Sequence, residues 1–210
     1  MSTPTASATD TVLITPTQLQ ALQAAEPVVL IDTRDADTYA QGHIPGAVNL
    51  RETFTYLATS TPEGLQELKD TFAAHLGAIG LSGAKTAVFY EDALNSGYGQ
   101  SCRGYYLLTW LGYPKVKVLN GGYSAWKAAG LPVSTEAVVP APAIFPTDLA
   151  PADVMLTQAD VKAALGTDTV LLTCAMWTSG SAKAPAPTAG TSRRARAACP
   201  ARSGWSGTAS

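Results

Sequence analysis

The sequence predicts an α/β fold. The expected core is a central parallel five-stranded sheet with helices on both faces, followed by an incomplete second repeat of the same pattern. Three observations carry this expectation. Short apolar runs alternate with segments of helical periodicity along residues 12–129. One run, residues 28–31, is continuously apolar, as a strand buried on both faces must be. The opening pattern also restarts later: Val12-Leu13-Ile14-Thr15-Pro16-Thr17-Gln18-Leu19 is echoed by Val154-Met155-Leu156-Thr157-Gln158-Ala159-Asp160-Val161.

Residues 12–14 read as a short strand. Thr15 followed by Pro16 is a helix start, a hydroxyl cap and then a proline whose missing N–H costs nothing. Leu19 and Leu22 form the buried face of that helix. The strand 28–31 follows, bounded by Pro27 and Asp32. Residues 35–41 give one or two helical turns, Gly42 to Gly46 a turn, and residues 47–50 a third strand. A longer helix, roughly 63–76, places Leu65, Leu68, Phe72 and Leu76 on one face. Residues 86–90 are a fourth strand, and residues 105–111 lie in a helix ended by Gly112-Tyr113-Pro114. Residues 116–119 form the last strand and 124–129 the last helix.

The domain organisation follows. Residues 1–10 are a Ser/Thr/Ala-rich leader expected to be disordered; without a basic start or apolar centre they do not read as a signal peptide. Residues 11–133 form the domain, and 134–152 a Pro/Ala-rich connector with Pro140, Pro142, Pro146 and Pro151. Residues 153–172 begin a second domain, and 173–210 form a tail expected to be disordered. The net charge of −2 gives no reason to expect nucleic acid or an anionic membrane as partner. The basic tail (Lys183, Arg193, Arg194, Arg196, Arg202) has no structural period and reads as disordered rather than as a binding patch. No apolar run is long enough to span a membrane. Cys102, Cys174 and Cys199, odd in number and far apart, form neither a disulfide framework nor a zinc pattern. A reducing, cytoplasmic setting is expected, and nothing calls for a metal or cofactor.

Two motifs carry a family resemblance. Val29-Leu30-Ile31-Asp32-Thr33-Arg34-Asp35, continued by Gly42-His43-Ile44-Pro45-Gly46-Ala47-Val48-Asn49, resembles the N-terminal signature of the rhodanese family of sulfurtransferases. Val118-Leu119-Asn120-Gly121-Gly122-Tyr123-Ser124-Ala125-Trp126 resembles its second signature, at matching spacing. The restart at Val154 makes the chain similar to tandem thiosulfate and mercaptopyruvate sulfurtransferases. The residues also have physical readings. Asp32 and Arg34, following a buried strand, must be paired or hydrogen-bonded. They are expected to tie the turn to the Gly42–Gly46 loop. His43, before Pro45 and Gly46, reads as a structural histidine rather than a base. Gly121-Gly122 permits a tight strand-to-helix turn, and Trp126 packs as core.

The resemblance implies a cysteine thiolate that takes sulfane sulfur as a persulfide and passes it to a thiol or cyanide. In the family this cysteine directly follows a central strand, where inward N–H groups and a helix N-terminus stabilise the thiolate. The matching strand here is 86–90, so the nucleophile position is Glu91 or Asp92. A carboxylate cannot form a persulfide, and the first domain of tandem members characteristically lacks the cysteine. Cys102, beside Arg103, falls about ten residues too late along the chain for that role and is expected to be a partly buried structural thiol. It lacks the closing arginine of a cysteine phosphatase loop. Glu91 and Asp92 as a paired acid and base have no supporting residues. The implied partners are small sulfur donors and acceptors of the intact parent; a protein partner for a non-catalytic binding or regulatory module is the alternative.

The tail has the composition of GC-rich DNA read out of frame. Met176 and Trp177 have single codons. Read one base earlier, ATG-TGG-AC forces Val then Asp and permits Asp-Val-Arg-Asp-Val-Asp-Glu-Trp, parallel to Asp32-Thr33-Arg34-Asp35-Ala36-Asp37-Thr38-Tyr39. Cys199-Pro200-Ala201-Arg202 likewise permits Met-Pro-Gly-Ala, parallel to Ile44-Pro45-Gly46-Ala47. A frameshift that truncates the second domain is the resulting expectation, with residues 153–172 too short to bury a core.

Overall fold

The computed structural model describes residues 11–51, 61–93, 99–149 and 154–171. The chain divides into two compact units, with the boundary after Gln158. The leader 1–10 and the tail 173–210, with Cys174 and Cys199, lie outside the described residues.

The first unit follows the expected order: β1 (Leu13–Ile14), α1 (Pro16–Ala25), β2 (Val28–Asp32), α2 (Ala36–Gln41), β3 (Val48–Asn49), α3 (Pro62–Ala78), β4 (Thr86–Tyr90), α4 (Gln100–Trp110), β5 (Val116–Leu119) and α5 (Gly122–Ala128). Local chemistry sets the helix starts. Thr15 and Gln18 form a reciprocal capping box on α1. Asp35 Oδ1 accepts from Thr38 N at 2.9 Å and caps α2. Thr61 Oγ1 accepts from Gly64 N at 3.2 Å, one residue before Pro62 opens α3.

All five strands are parallel, in the order β1-β5-β4-β2-β3. The pleat divides the core by parity. Val29, Ile31, Ala87 and Phe89 face one layer with Leu68, Phe72 and Leu76 of α3 and Leu107, Leu108 and Trp110 of α4. Leu30, Val88 and Tyr90 face the other, with Leu19 of α1 and Tyr123 and Trp126 of α5. α3 and α4 therefore cover one face, and α1 and α5 the other, which gives the helices on both faces that the sequence predicts.

The Pro/Ala-rich connector carries no helix or strand through residue 149, but it lies on the domain as a strap. Ser134 and His43 exchange backbone hydrogen bonds at 2.8 and 2.9 Å. Ala143 N donates to Gly77 O at 2.8 Å. Phe145 is buried and stacks on Tyr113 with ring centroids 5.6 Å apart.

Beyond the first unit, α6 (Gln158–Ala164) forms where the restarted pattern places a helix, and none of its residues is buried. The second domain expected to begin at 153–172 shows this one helix and no strand among its described residues, 154–171. A strand exists through its neighbours, and among the described residues the apolar segments flanking α6 pair with none.

Candidate functional site

The sheet order fixes where a site can form. From β2 the chain moves outward to β3 and then returns to the other side of β2 to place β4. The crevice beyond the carboxyl ends of β2 and β4 is thus a topological switch point. Asp32 and Tyr90 are register partners at those ends. The next residues, Thr33-Arg34 and Glu91-Asp92, enter the crevice.

Arg34 organises it. Its Nη2 donates to Asp32 Oδ2 at 2.6 Å and to Gly42 O at 2.8 Å, and Nε donates to Asp32 Oδ1 at 3.0 Å. Asp32 is fully buried, so this two-pronged pair is what lets its charge remain in the interior. The Tyr123 ring lies under the guanidinium at 4.0 Å. Burial works against the arginine charge, but hydrogen bonding and proximity to Asp32 outweigh it and hold the guanidinium above its ordinary value. Nη1 reaches 3.9 Å from Asp92 Oδ1, on a half-exposed side chain. Asn49 Nδ2 closes the turn by donating to Asp32 O at 3.1 Å and Arg34 O at 2.8 Å.

The Gly42–Gly46 turn is held from two sides. His43 is fully buried; Nδ1 lies 3.0 Å from Tyr39 O and Nε2 3.1 Å from Glu136 O on the strap. Its ring stacks on Tyr39 at 3.9 Å. Ile44 N donates to the Tyr90 hydroxyl at 3.2 Å. Burial, with the Asp32 carboxylate close by, pushes the Tyr90 phenol far up. Pro45 is half-buried, and Gly46 sits exposed at φ +80°. On the opposite side, Gly121 and Gly122 adopt φ +76° and +59°, which lets Tyr123 N donate to Glu91 O and Ser124 N to Asp92 O, both at 2.9 Å. Trp126 is buried and donates through Nε1 to Pro132 O at 2.7 Å.

Glu91 is the central residue. It follows β4 directly and is 1% exposed. Gly99, the N-cap before α4, has φ +73° and offers no side-chain cap. The Glu91 carboxylate supplies the missing acceptor from nine residues upstream, with Gln100 N donating to Oε2 at 2.9 Å. Its other oxygen, Oε1, and the Ser101 hydroxyl are buried, and neither has an aligned hydrogen-bond partner among the described residues. Burial pushes the Glu91 carboxyl above its usual range, while the Ser101 and Gln100 N–H groups and the Ser101 hydroxyl, all close by, pull the other way. Of the two residues the resemblance offers for the nucleophile position, Glu91 is thus aimed at a helix N-terminus, and Asp92 is half-exposed.

Cys102 lies on the first turn of α4 and is exposed, which corrects its expected partial burial. Two residues before it, Gln100 caps against Glu91, so the turn's buried side is taken by Ser101 and Gly104, and Cys102 points outward. Arg103 is half-buried on the same turn. Sequence reasoning missed Ser101, because no side chain in its neighbourhood signals a buried hydroxyl. A groove of about 820 Å³ between α1 and the β1–β5 edge, lined by Leu22, Glu26, Tyr105 and Lys117, does not reach this crevice. Among the described residues no three His, Cys, Asp or Glu side chains converge as metal ligands. No described helix is long and apolar enough to cross a membrane.

Comparison with known proteins gives a consistent result. Residues 15–129 match the Rhodanese-like domain. The thiosulfate sulfurtransferase of Azotobacter vinelandii is 36% identical over 137 residues, covering 65% of this chain and 49% of that protein. The 3-mercaptopyruvate sulfurtransferase of Homo sapiens is 31% identical over 153 residues, covering 69% and 51%. The crystal structure of a 3-mercaptopyruvate sulfotransferase from Escherichia coli superposes with a TM-score of 0.58 at 23% identity. It covers 73% of this chain and 61% of that one, and it speaks to the fold alone. The chain spans about half the length of the curated relatives it matches.

Proposed function

This chain belongs to the rhodanese-like family, and from that premise we propose that it carries the non-catalytic first domain of a tandem sulfurtransferase. The parent reaction moves sulfane sulfur from thiosulfate or 3-mercaptopyruvate onto a cysteine as a persulfide, and then to a thiol or cyanide acceptor. The observation that carries the reading is Glu91: the residue directly after β4, buried against the N-terminus of α4, is a carboxylate. A carboxylate has no sulfur with which to form a persulfide, so Glu91 leaves the domain without its nucleophile. The Asp32–Arg34 pair and the His43 contacts keep the crevice in shape without chemistry of their own. We place the protein in the cytoplasm, with small sulfur compounds as the parent's substrates and neither nucleic acid nor membrane as partner. The restart at Val154 supports a second repeat, truncated by the frameshift that the codons around Met176 permit.

A thiosulfate:cyanide assay on the purified chain tests this. The expected result is no turnover above background, with or without Cys102→Ser. Turnover that disappears in Cys102→Ser would assign the chemistry to that exposed thiol and overturn the reading. The intact mass of the protein from its native cell tests the tandem parent, which requires a product heavier than this chain by most of a domain.

The second reading, a binding or regulatory module, is favoured by one feature. Val139 and Ile144 on the docked strap are each 91% exposed, and apolar side chains so placed suit a partner surface.

A further inference from the structure

One peptide group joins the strap to the crevice. The Gly42 carbonyl accepts from Arg34 Nη2 at 2.8 Å, and the N–H of the same planar peptide, that of His43, donates to Ser134 O at 2.8 Å. The His43 carbonyl in turn accepts from Ser134 N at 2.9 Å, and Nε2 of its ring lies 3.1 Å from Glu136 O. The Val138 N–H faces the Tyr39 hydroxyl, which donates to Ala47 O at 2.7 Å just past the turn. Residues 134, 136 and 138 thus hold the Gly42–Gly46 turn from outside, while Arg34 holds it from the crevice.

The other end of the strap is seated against the end of α3. A Cβ on Gly77 would lie 2.6 Å from Ala143 O, and one on Gly80 2.8 Å from Ala141 O, so at both positions the strap backbone comes closer than a side chain allows. Ala143 N donates to Gly77 O, and Phe145 stacks on Tyr113. Between the two seats stand Pro140 and Pro142. Their fixed φ removes freedom that would let one end of the strap move without the other.

We propose that the strap is a displaceable arm that sets the crevice arginine: docking of residues 134–145 and seating of Arg34 on Gly42 O form one coupled equilibrium. With the strap in place, the hydrogen bonds from Arg34 through the Gly42–His43 peptide to Ser134 O run in one direction and polarise one another. With the strap withdrawn, that peptide loses its acceptor and is free to turn. Arg34 then keeps Asp32 and loses its second tie. A protein that draws the strap away acts on the crevice without touching it, and by linkage whatever holds Arg34 more firmly on Gly42 tightens the strap. The arm needs no sulfur chemistry, so the inference goes beyond both readings of function above and depends on neither.

Hydrogen exchange followed by NMR on the whole chain tests the coupling. Gly77→Ala is the lever, because a methyl there favours α3 as a helix and collides with Ala143 O. The Ala143 N–H reports the far end of the strap, and the Arg34 Nε–H, held on Asp32, reports the crevice. Leu30 and Val88, paired in the central strands, report global opening. The expected result in Gly77→Ala is exchange about tenfold faster at Ala143 N–H and about three- to tenfold faster at Arg34 Nε–H, beyond any change at Leu30 and Val88. Arg34→Lys supplies the reciprocal arm. It keeps a cation beside Asp32, gives up the fork that reaches Gly42 O, and should speed Ala143 exchange about threefold on the same scale. Faster exchange at Ala143 with Arg34 Nε–H as in wild type overturns the coupling, and so does an unchanged Ala143 N–H in Arg34→Lys. If Ala143 stays protected in Gly77→Ala, Phe145→Ala takes its place as the lever; protection in both means that the strap is not displaceable, and the proposal falls. It falls too if Gly77→Ala does not fold, or if all the reporters speed up equally, since the strap then cannot leave without the rest of the domain. Sulfur transfer enters none of these measurements, so either result leaves the sulfurtransferase reading where it stands.

Discussion

Gly122→Ala is the substitution whose cost the structure defines most closely, because Gly46→Ala provides its control. Both glycines have positive φ, +59° and +80°. Placing an L-residue in that region costs about 1–2 kcal/mol, offset by about 0.4–1 kcal/mol through the stiffer unfolded chain. Around Gly46 a Cβ would meet nothing within 4 Å, so the expected loss there is about 0.5–1 kcal/mol. At Gly122 the new Cβ would lie 2.8 Å from Asp92 O and closer still to Glu91 O, both backbone atoms that cannot swing aside. Relief requires α5 to withdraw from the end of β4, which breaks the hydrogen bonds from Tyr123 N and Ser124 N to those carbonyls. Two such bonds are worth about 0.5–1.5 kcal/mol each. The expected loss for Gly122→Ala is therefore about 1.5–4 kcal/mol, or about 4–15 °C in melting temperature. Urea unfolding followed by tryptophan fluorescence, with Trp110 and Trp126 both buried, reads the two variants side by side. A Gly122→Ala loss no larger than that of Gly46→Ala would refute the claim that close backbone approach fixes this turn.

Three further outcomes are expected. Arg34→Ala leaves the buried Asp32 without its cation, so denaturant unfolding should show a loss of about 3–5 kcal/mol; Asp32→Asn combined with Arg34→Met should lose less. Because burial raises the folded-state Glu91 carboxyl above its unfolded value, the native state binds more protons between the two values, and stability falls as pH rises through that window. The wild-type urea midpoint minus that of Glu91→Gln should accordingly decline from about pH 4 upward, and a flat difference would contradict the burial argument. Phe145→Ala should cost about 3 kcal/mol in the same unfolding experiment, since the ring is 5% exposed against Tyr113; a neutral result would mean that the strap is not part of the domain's core.

The sheet was legible because its determinants are local. The continuous run ending at Asp32, the Thr15-Pro16 start and the 65/68/72/76 spacing each state an element without help from distant residues. The position of Glu91 was legible for the same reason, as the residue after a strand. Its environment was not, because the acceptor that caps α4 comes from nine residues upstream while the capping position itself is a bare glycine. Cys102 was misjudged because its burial depends on which side of α4 meets Phe89. That side belongs to Gly104, where a Cβ would fall 2.7 Å from the Phe89 ring. Proline-rich composition describes how residues 134–149 behave alone, and it carries no trace of the pocket beside Tyr113 that Phe145 fills. The described residues flanking α6, which form no strand, make the converse point: apolar pattern proposes a strand, and a neighbouring strand makes it one.

The contact between His43 and the strap also orders events during synthesis. Nε2 of His43 meets Glu136 O across 93 positions of chain, and β1 finds its partner β5 only when Val118 and Leu119 exist. A ribosome adding roughly 5–20 residues per second therefore holds out an unfinished sheet for several seconds before its first strand can pair. Phe145 must then clear the exit tunnel before the last of the core is covered. Over that interval the apolar faces of β2 and β4 are present without their final neighbours. The order of the chain thus leaves the domain's apolar faces most open before the strap is made.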